Sequence, residues 1–96
     1  MELFSFVRIH VRAGMESVLE EALREIVPAT REEAGCLEIH AFRSLRDAQL
    51  FYIHSRWKNE AAFEVHAKLP HTVKFLERVR PLLDLPLDVT RTEKIV

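Results

Sequence analysis

The spacing of apolar residues changes period four times along the chain, and this constrains the fold more than any single motif. From Leu3 to Val11, Leu3, Ser5, Val7, Ile9 and Val11 alternate with Phe4, Phe6, Arg8 and His10, the two-residue period of a strand with apolar groups on both faces. From Met15 the period lengthens to that of a helix. Val18, Leu19, Ala22, Leu23, Ile26 and Val27 form one stripe, and Glu16, Glu20, Glu21, Arg24 and Glu25 form a solvated face. Pro28 lacks the amide that would bond back to Arg24, so the pattern predicts a kink there and a second short helical piece over Arg31–Ala34, stopped by Gly35.

Cys36–Ser44 and Leu50–Trp57 return to strand alternation, joined by a polar connection short enough for a hairpin. Phe51, Ile53, Ser55 and Trp57 share one face of the third strand, and Leu50, Tyr52, His54 and Arg56 share the other. Asn59 caps a predicted helix over Glu60–Lys68 with Ala62, Phe63, His66 and Ala67 inward. Pro70 suits the first turn of a continuation carrying Val73, Phe75, Leu76 and Val79, and after Pro81 and Pro86 the alternation of Leu87–Val96 predicts a last strand.

The order βαββαβ, without repeats or linkers, predicts an α+β fold: a ferredoxin-like sandwich with both helices on one sheet face. Phe4, Phe6, Phe42, Tyr52 and His54 fall on the other face, too apolar a set to leave in water, which predicts a homodimer closing through its sheets. The 96 residues suit a single domain spanning 1–96, and 48% apolar with 30% charged residues excludes a disordered tail. With 14 basic against 15 acidic residues there is no charge excess for nucleic acid, and no apolar run is long enough to span a bilayer. A cytoplasmic protein is expected. Only Gly14 and Gly35 are present, so neither the three-glycine dinucleotide fingerprint nor a phosphate-binding loop can be written. Cys36 is the only cysteine and reads as a small buried hydrophobe, excluding a disulfide or a cysteine-based metal site within one chain.

The run Glu33-Ala34-Gly35-Cys36-Leu37, then Trp57-Lys58-Asn59-Glu60-Ala61-Ala62-Phe63 with His66, then Pro70-His71 and Phe75, resembles the antibiotic biosynthesis monooxygenase superfamily over nearly the whole chain. The resemblance implies a dimeric α+β barrel and oxygenation of a quinol-like or polyhydroxylated aromatic by molecular oxygen, with no cofactor and no metal. The scaffold also serves an isomerase or lyase of small oxidised carbonyl compounds, and a non-catalytic dimer that only binds a ligand is a third reading. Ile39, Ser55 and Ile53 stand where many members carry Tyr, Glu and, in anthrone oxygenases, Asn; Val7 stands near the first-strand Asn of haem degraders.

Oxygenation without a cofactor needs a base that deprotonates the substrate. His66, inward on the second helix beside Phe63, is the candidate, because an imidazole titrates near neutrality; the alternative is a half-buried histidine bonded to a carbonyl or to His71. Trp57 is either a stacking platform whose indole N–H holds a substrate oxygen or a core residue. Ile53, Phe63 and Phe75 would line an apolar cavity, Ser55 is the polar group on that strand face, and His71 stands at its mouth or in solvent. Arg8, His10, His40 and His54 fall on the opposite sheet face, with His40 beside His54 and no carboxylate evident to complete a metal site.

Overall fold

The computed structural model describes residues 1–96. Four strands, β1 (Leu3–His10), β2 (Cys36–Arg43), β3 (Leu50–Trp57) and β4 (Asp88–Thr92), form one antiparallel sheet in the order β2-β3-β1-β4. With helices α1 (Glu16–Arg31), α2 (Glu60–Lys68) and α3 (Pro70–Val79), this is the ferredoxin-like α+β arrangement. The β2–β3 hairpin sets Ile39 opposite Ser55 and His40 opposite His54, and a bulge between Cys36 and Glu38 brings Cys36 opposite Trp57.

The core sits between the sheet and the helices. Ile9, Ile39, Phe51 and Ile53 from the strands, with Val11 just after β1, meet Leu19, Ala22, Leu23, Ile26 and Val27 of α1 and Val79 of α3. A smaller cluster of Leu3, Trp57 and Phe63 lies at the other end of β3, and Cys36 packs against both. Burial raises the Cys36 thiol pKa, as suits a packing residue rather than a nucleophile.

Several sequence expectations are corrected. Helix α1 runs unbroken past Pro28 to Arg31, and residues 32–35 form turns instead of a second helical piece. Pro28 is on the exposed side while Ile26, Val27 and Thr30 remain buried, so packing of the inner face offsets the one backbone bond that proline removes. Gly35 has no positive φ; it is required by close approach of α2, as described below. The second helix does not continue smoothly either. Leu69 is extended, the conformation favoured before proline, and α3 starts afresh at Pro70. Val18, Ala67 and Val73 are exposed on their helices, and β4 covers only five residues of the expected Leu87–Val96 strand. No helix is long and apolar enough to cross a membrane.

Candidate active site

The break at Leu69 turns the chain so that the end of α2 and the start of α3 face the loop after α1. Glu33 from that loop, His66 from α2 and His71 from α3 meet there. One carboxylate oxygen, Glu33 Oε2, lies 2.8 Å from Nδ1 of His66 and 2.7 Å from Nε2 of His71, so it accepts from both rings. The hydroxyl of Thr72, a buried residue, stands 3.3 Å from the same His66 nitrogen. The Glu33 side chain is 11% exposed, His66 13% and His71 32%, so the cluster is sheltered and opens to solvent on the His71 side.

The His66 ring is held from its other side by aromatic residues. The Trp57 centroid is 4.6 Å away at an interplanar angle of 39°, and that of Phe63 is 5.6 Å away; Trp57 and Phe63 themselves meet edge-on at 5.5 Å. A proton on Nδ1 committed to Glu33 makes Nε2 the basic nitrogen, the division of roles by which a carboxylate fixes a histidine tautomer. Nε2 of His66 has no partner in the chain.

The remaining sequence candidates are distributed around this cluster. Trp57 is fully buried, and its indole N–H donates to the Ser55 hydroxyl at 2.9 Å, so these two groups satisfy each other within the core. Ile53 belongs to the larger core, away from the Trp57 cluster. Phe75 packs on that core and, with His71, lines a cleft of about 220 Å³ between α1 and α3, whose rim carries Glu25, Lys74 and Arg78. Glu33 was not among the sequence candidates as a site residue; its place in a turn gives no periodic signal, and only tertiary packing brings it to His66.

On the far sheet face His40 and His54 are paired as expected, but His10 is not with them. Its ring bridges Asp84 at 2.6 Å and Asp47 at 3.0 Å. A carboxylate does stand near the pair: Glu38 lies 3.5 Å from His40 and 4.0 Å from His54, and Arg56 occupies its other oxygen at 3.6 Å.

Comparison with known proteins places this geometry in a family. The model for "Antibiotic biosynthesis monooxygenase" matches residues 3–78, so the chain belongs to the antibiotic biosynthesis monooxygenase family. Over 78 residues, 81% of either chain, it is 35% identical to the Bacillus subtilis (strain 168) protein named "Putative monooxygenase YcnE". The solved structure of Rv0793 from Mycobacterium tuberculosis shares the fold with a TM-score of 0.94 at 23% identity, over 100% of this chain and 97% of that one. PA3566 from Pseudomonas aeruginosa gives 0.91 at 28% identity, over 99% and 95%.

Proposed function

We propose that the protein is a cofactor-independent monooxygenase of a small quinol-like or polyhydroxylated aromatic, with His66 as its base. The observation that carries this reading is the Glu33–His66 contact at 2.8 Å, which leaves Nε2 of a ring packed on Trp57 and Phe63 free to take a phenolic proton. The phenolate then gives one electron to oxygen, and the two radicals combine in a C–O bond. Loss of water from the resulting hydroperoxide leaves a hydroxyquinone. One oxygen atom enters the product, the other departs in water, and all four electrons come from the substrate, so no separate reductant is consumed.

A cleft of about 220 Å³ beside His71 is smaller than a typical drug-sized pocket of roughly 300 Å³ or more, which favours a one- or two-ring substrate. Phe75 supplies its apolar wall and His71 its polar edge, while Trp57, bonded to Ser55, and Phe63 form the packed bed behind His66, and Ile53 stays in the larger core. A homodimer through the outer sheet face belongs to the same proposal: Phe6, Phe42 and Tyr52 are 48%, 53% and 40% exposed on one face, where a second copy would cover them.

Oxygen uptake by chelator-treated protein with a panel of quinols and dihydroxynaphthalenes, beside His66→Ala, tests the activity. Uptake stoichiometric with product, falling roughly 10²- to 10⁴-fold in the variant, is expected. Product formed at the same rate without oxygen, or uptake no faster than the uncatalysed background, overturns it.

A further inference from the structure

The Glu33, His66 and His71 cluster has a second chemical property that base catalysis does not use. Its three donor atoms, Oε2, Nδ1 and Nε2, come from three separate elements and lie within 4.8 Å of one another. Two imidazole nitrogens and one carboxylate oxygen, with one side open, are the donor set of three-ligand metal sites. We propose that this cluster is a binding site for a divalent first-row transition ion of the zinc class.

Four observations support it. First, the carboxylate is sheltered, so a positive charge brought to it offsets the cost of its burial. Second, both rings already aim a nitrogen at the same oxygen, at 2.8 and 2.7 Å. Metal bonds of about 2.0–2.2 Å in a tetrahedron space neighbouring ligand atoms about 3.3–3.6 Å apart, so each N···O separation opens by about 0.5–0.9 Å while the two ring nitrogens, within 4.8 Å of each other, settle to the same spacing. Third, the His66 ring is fixed by Trp57 and Phe63, while the more exposed His71 has room to move. Fourth, two imidazoles select against magnesium and calcium, which take oxygen ligands.

The remaining coordination positions would face the solvent side at His71 and be filled by water. Ligation through His66 Nδ1 and His71 Nε2 requires each neutral ring to carry its one proton on the other nitrogen, so binding competes with the imidazolium forms and weakens on acidification. It also moves the His66 proton to Nε2. If His66 is the base proposed above, a bound ion and an active base exclude one another; the binding site itself does not depend on that reading.

The test is titration of chelator-stripped protein with Zn²⁺ by calorimetry and with Co²⁺ by visible absorption, for the native chain, Glu33→Gln, His71→Ala and His54→Ala. The expected result is one ion per chain, with Co²⁺ bands of a nitrogen–oxygen site. Affinity should fall by at least about 10- to 100-fold in Glu33→Gln and His71→Ala, since loss of even an outer partner costs that much, and stay unchanged in His54→Ala on the far face. His71 is at the exposed rim, so its truncation spares the core; circular dichroism of each variant verifies folding. No saturable binding to the native chain at about 1 mM, or equal affinity in all four proteins, overturns the proposal.

Discussion

Gly35 and Ala62 approach so closely that a methyl group on the Gly35 Cα would stand 2.4 Å from the Ala62 Cβ and 3.6 Å from its Cα. The obstacle is the body of helix α2 rather than a flexible side-chain end. Because α2 also carries His66, the glycine sets how near His66 comes to Glu33, two residues before it in sequence. Gly35→Ala is expected to destabilise the fold by about 1–3 kcal/mol, the usual cost of overpacking. Chemical denaturation measures this directly, and an unchanged midpoint would show that α2 is free to retreat.

Ser5 and Ser55 face each other across β1 and β3, yet their substitution should have opposite outcomes. Ser55 accepts the indole N–H of the fully buried Trp57, so Ser55→Ala orphans that donor and is expected to cost about 1–3 kcal/mol. The Ser5 hydroxyl is buried with no partner in the chain, so Ser5→Ala should be neutral or stabilising by up to about 1 kcal/mol. Thermal melts of the two variants side by side decide the matter. Equal destabilisation would mean that the two hydroxyls share one hydrogen-bond network.

The periodic parts of this fold were legible in the sequence, and the site was legible only in part. The bounds of β3 and α2 and the pairing of His40 with His54 follow from alternation, the Asn59 cap and the hairpin length, all local or single-turn properties. Pro28 misleads because a local rule meets a tertiary one: the buried stripe of α1 outweighs one missing hydrogen bond. His66, Trp57 and Phe63 are brought together as their shared face suggests. Glu33 escapes such reasoning because a turn residue's partners are set by where two other helices end. The nearest sequence signal is Pro70, which forces the break at Leu69 and so directs His71 back toward Glu33.

His10 ties the end of β1 to two loops through Asp84 and Asp47. Its hydrogen bonds to Asp84 and then to Asp47 raise its pKa above the ordinary imidazole value of 6.5. Asp47 is lowered below the ordinary 3.8, first by the backbone N–H of Gln49 and then by His10. A raised histidine contributes its stabilisation fully below pH 6.5 and loses it as pH rises through the folded value. A lowered aspartate contributes above 3.8 and loses it as pH falls through its own. The clamp is therefore strongest between these limits. The melting-temperature difference between native protein and His10→Gln should be greatest near pH 5 and shrink toward pH 8. A difference independent of pH would mean that His10 acts by packing alone.

Tyr52 is 40% exposed near the centre of the outer sheet face, with Phe42 opposite it on β2 and Arg8 opposite it on β1. If that face closes a homodimer, a positive charge placed there beside Arg8 must be buried unpaired in the pair of subunits and stays hydrated in the monomer. Tyr52→Lys is expected to shift the native dimer to monomer in sedimentation velocity while leaving far-ultraviolet circular dichroism unchanged. A native chain that sediments as a monomer would remove the outer face as a subunit interface.

The two histidines share one carboxylate oxygen but should differ kinetically. His66 is held on Trp57 and Phe63, whereas His71 borders the cleft that would hold the substrate. Removing the base lowers kcat by roughly 10²- to 10⁴-fold. Glu33→Gln keeps the size of the side chain and one acceptor oxygen but removes the negative charge, so both ring N–H groups lose a charge-assisted acceptor and the imidazolium formed when His66 takes a proton loses its counter-charge. The His66 tautomer is then held less firmly, and a kcat loss of about 10- to 100-fold is expected, the range found when an outer partner of a working histidine is removed. His71→Ala should act mainly on KM, as the loss of a contact made equally in ground and transition states does. Steady-state oxygen uptake by the three variants gives the ranking. A Glu33→Gln protein with native kcat would mean that the carboxylate only holds the turn after α1 in place, and a larger kcat loss in His71→Ala than in His66→Ala would transfer the base to His71.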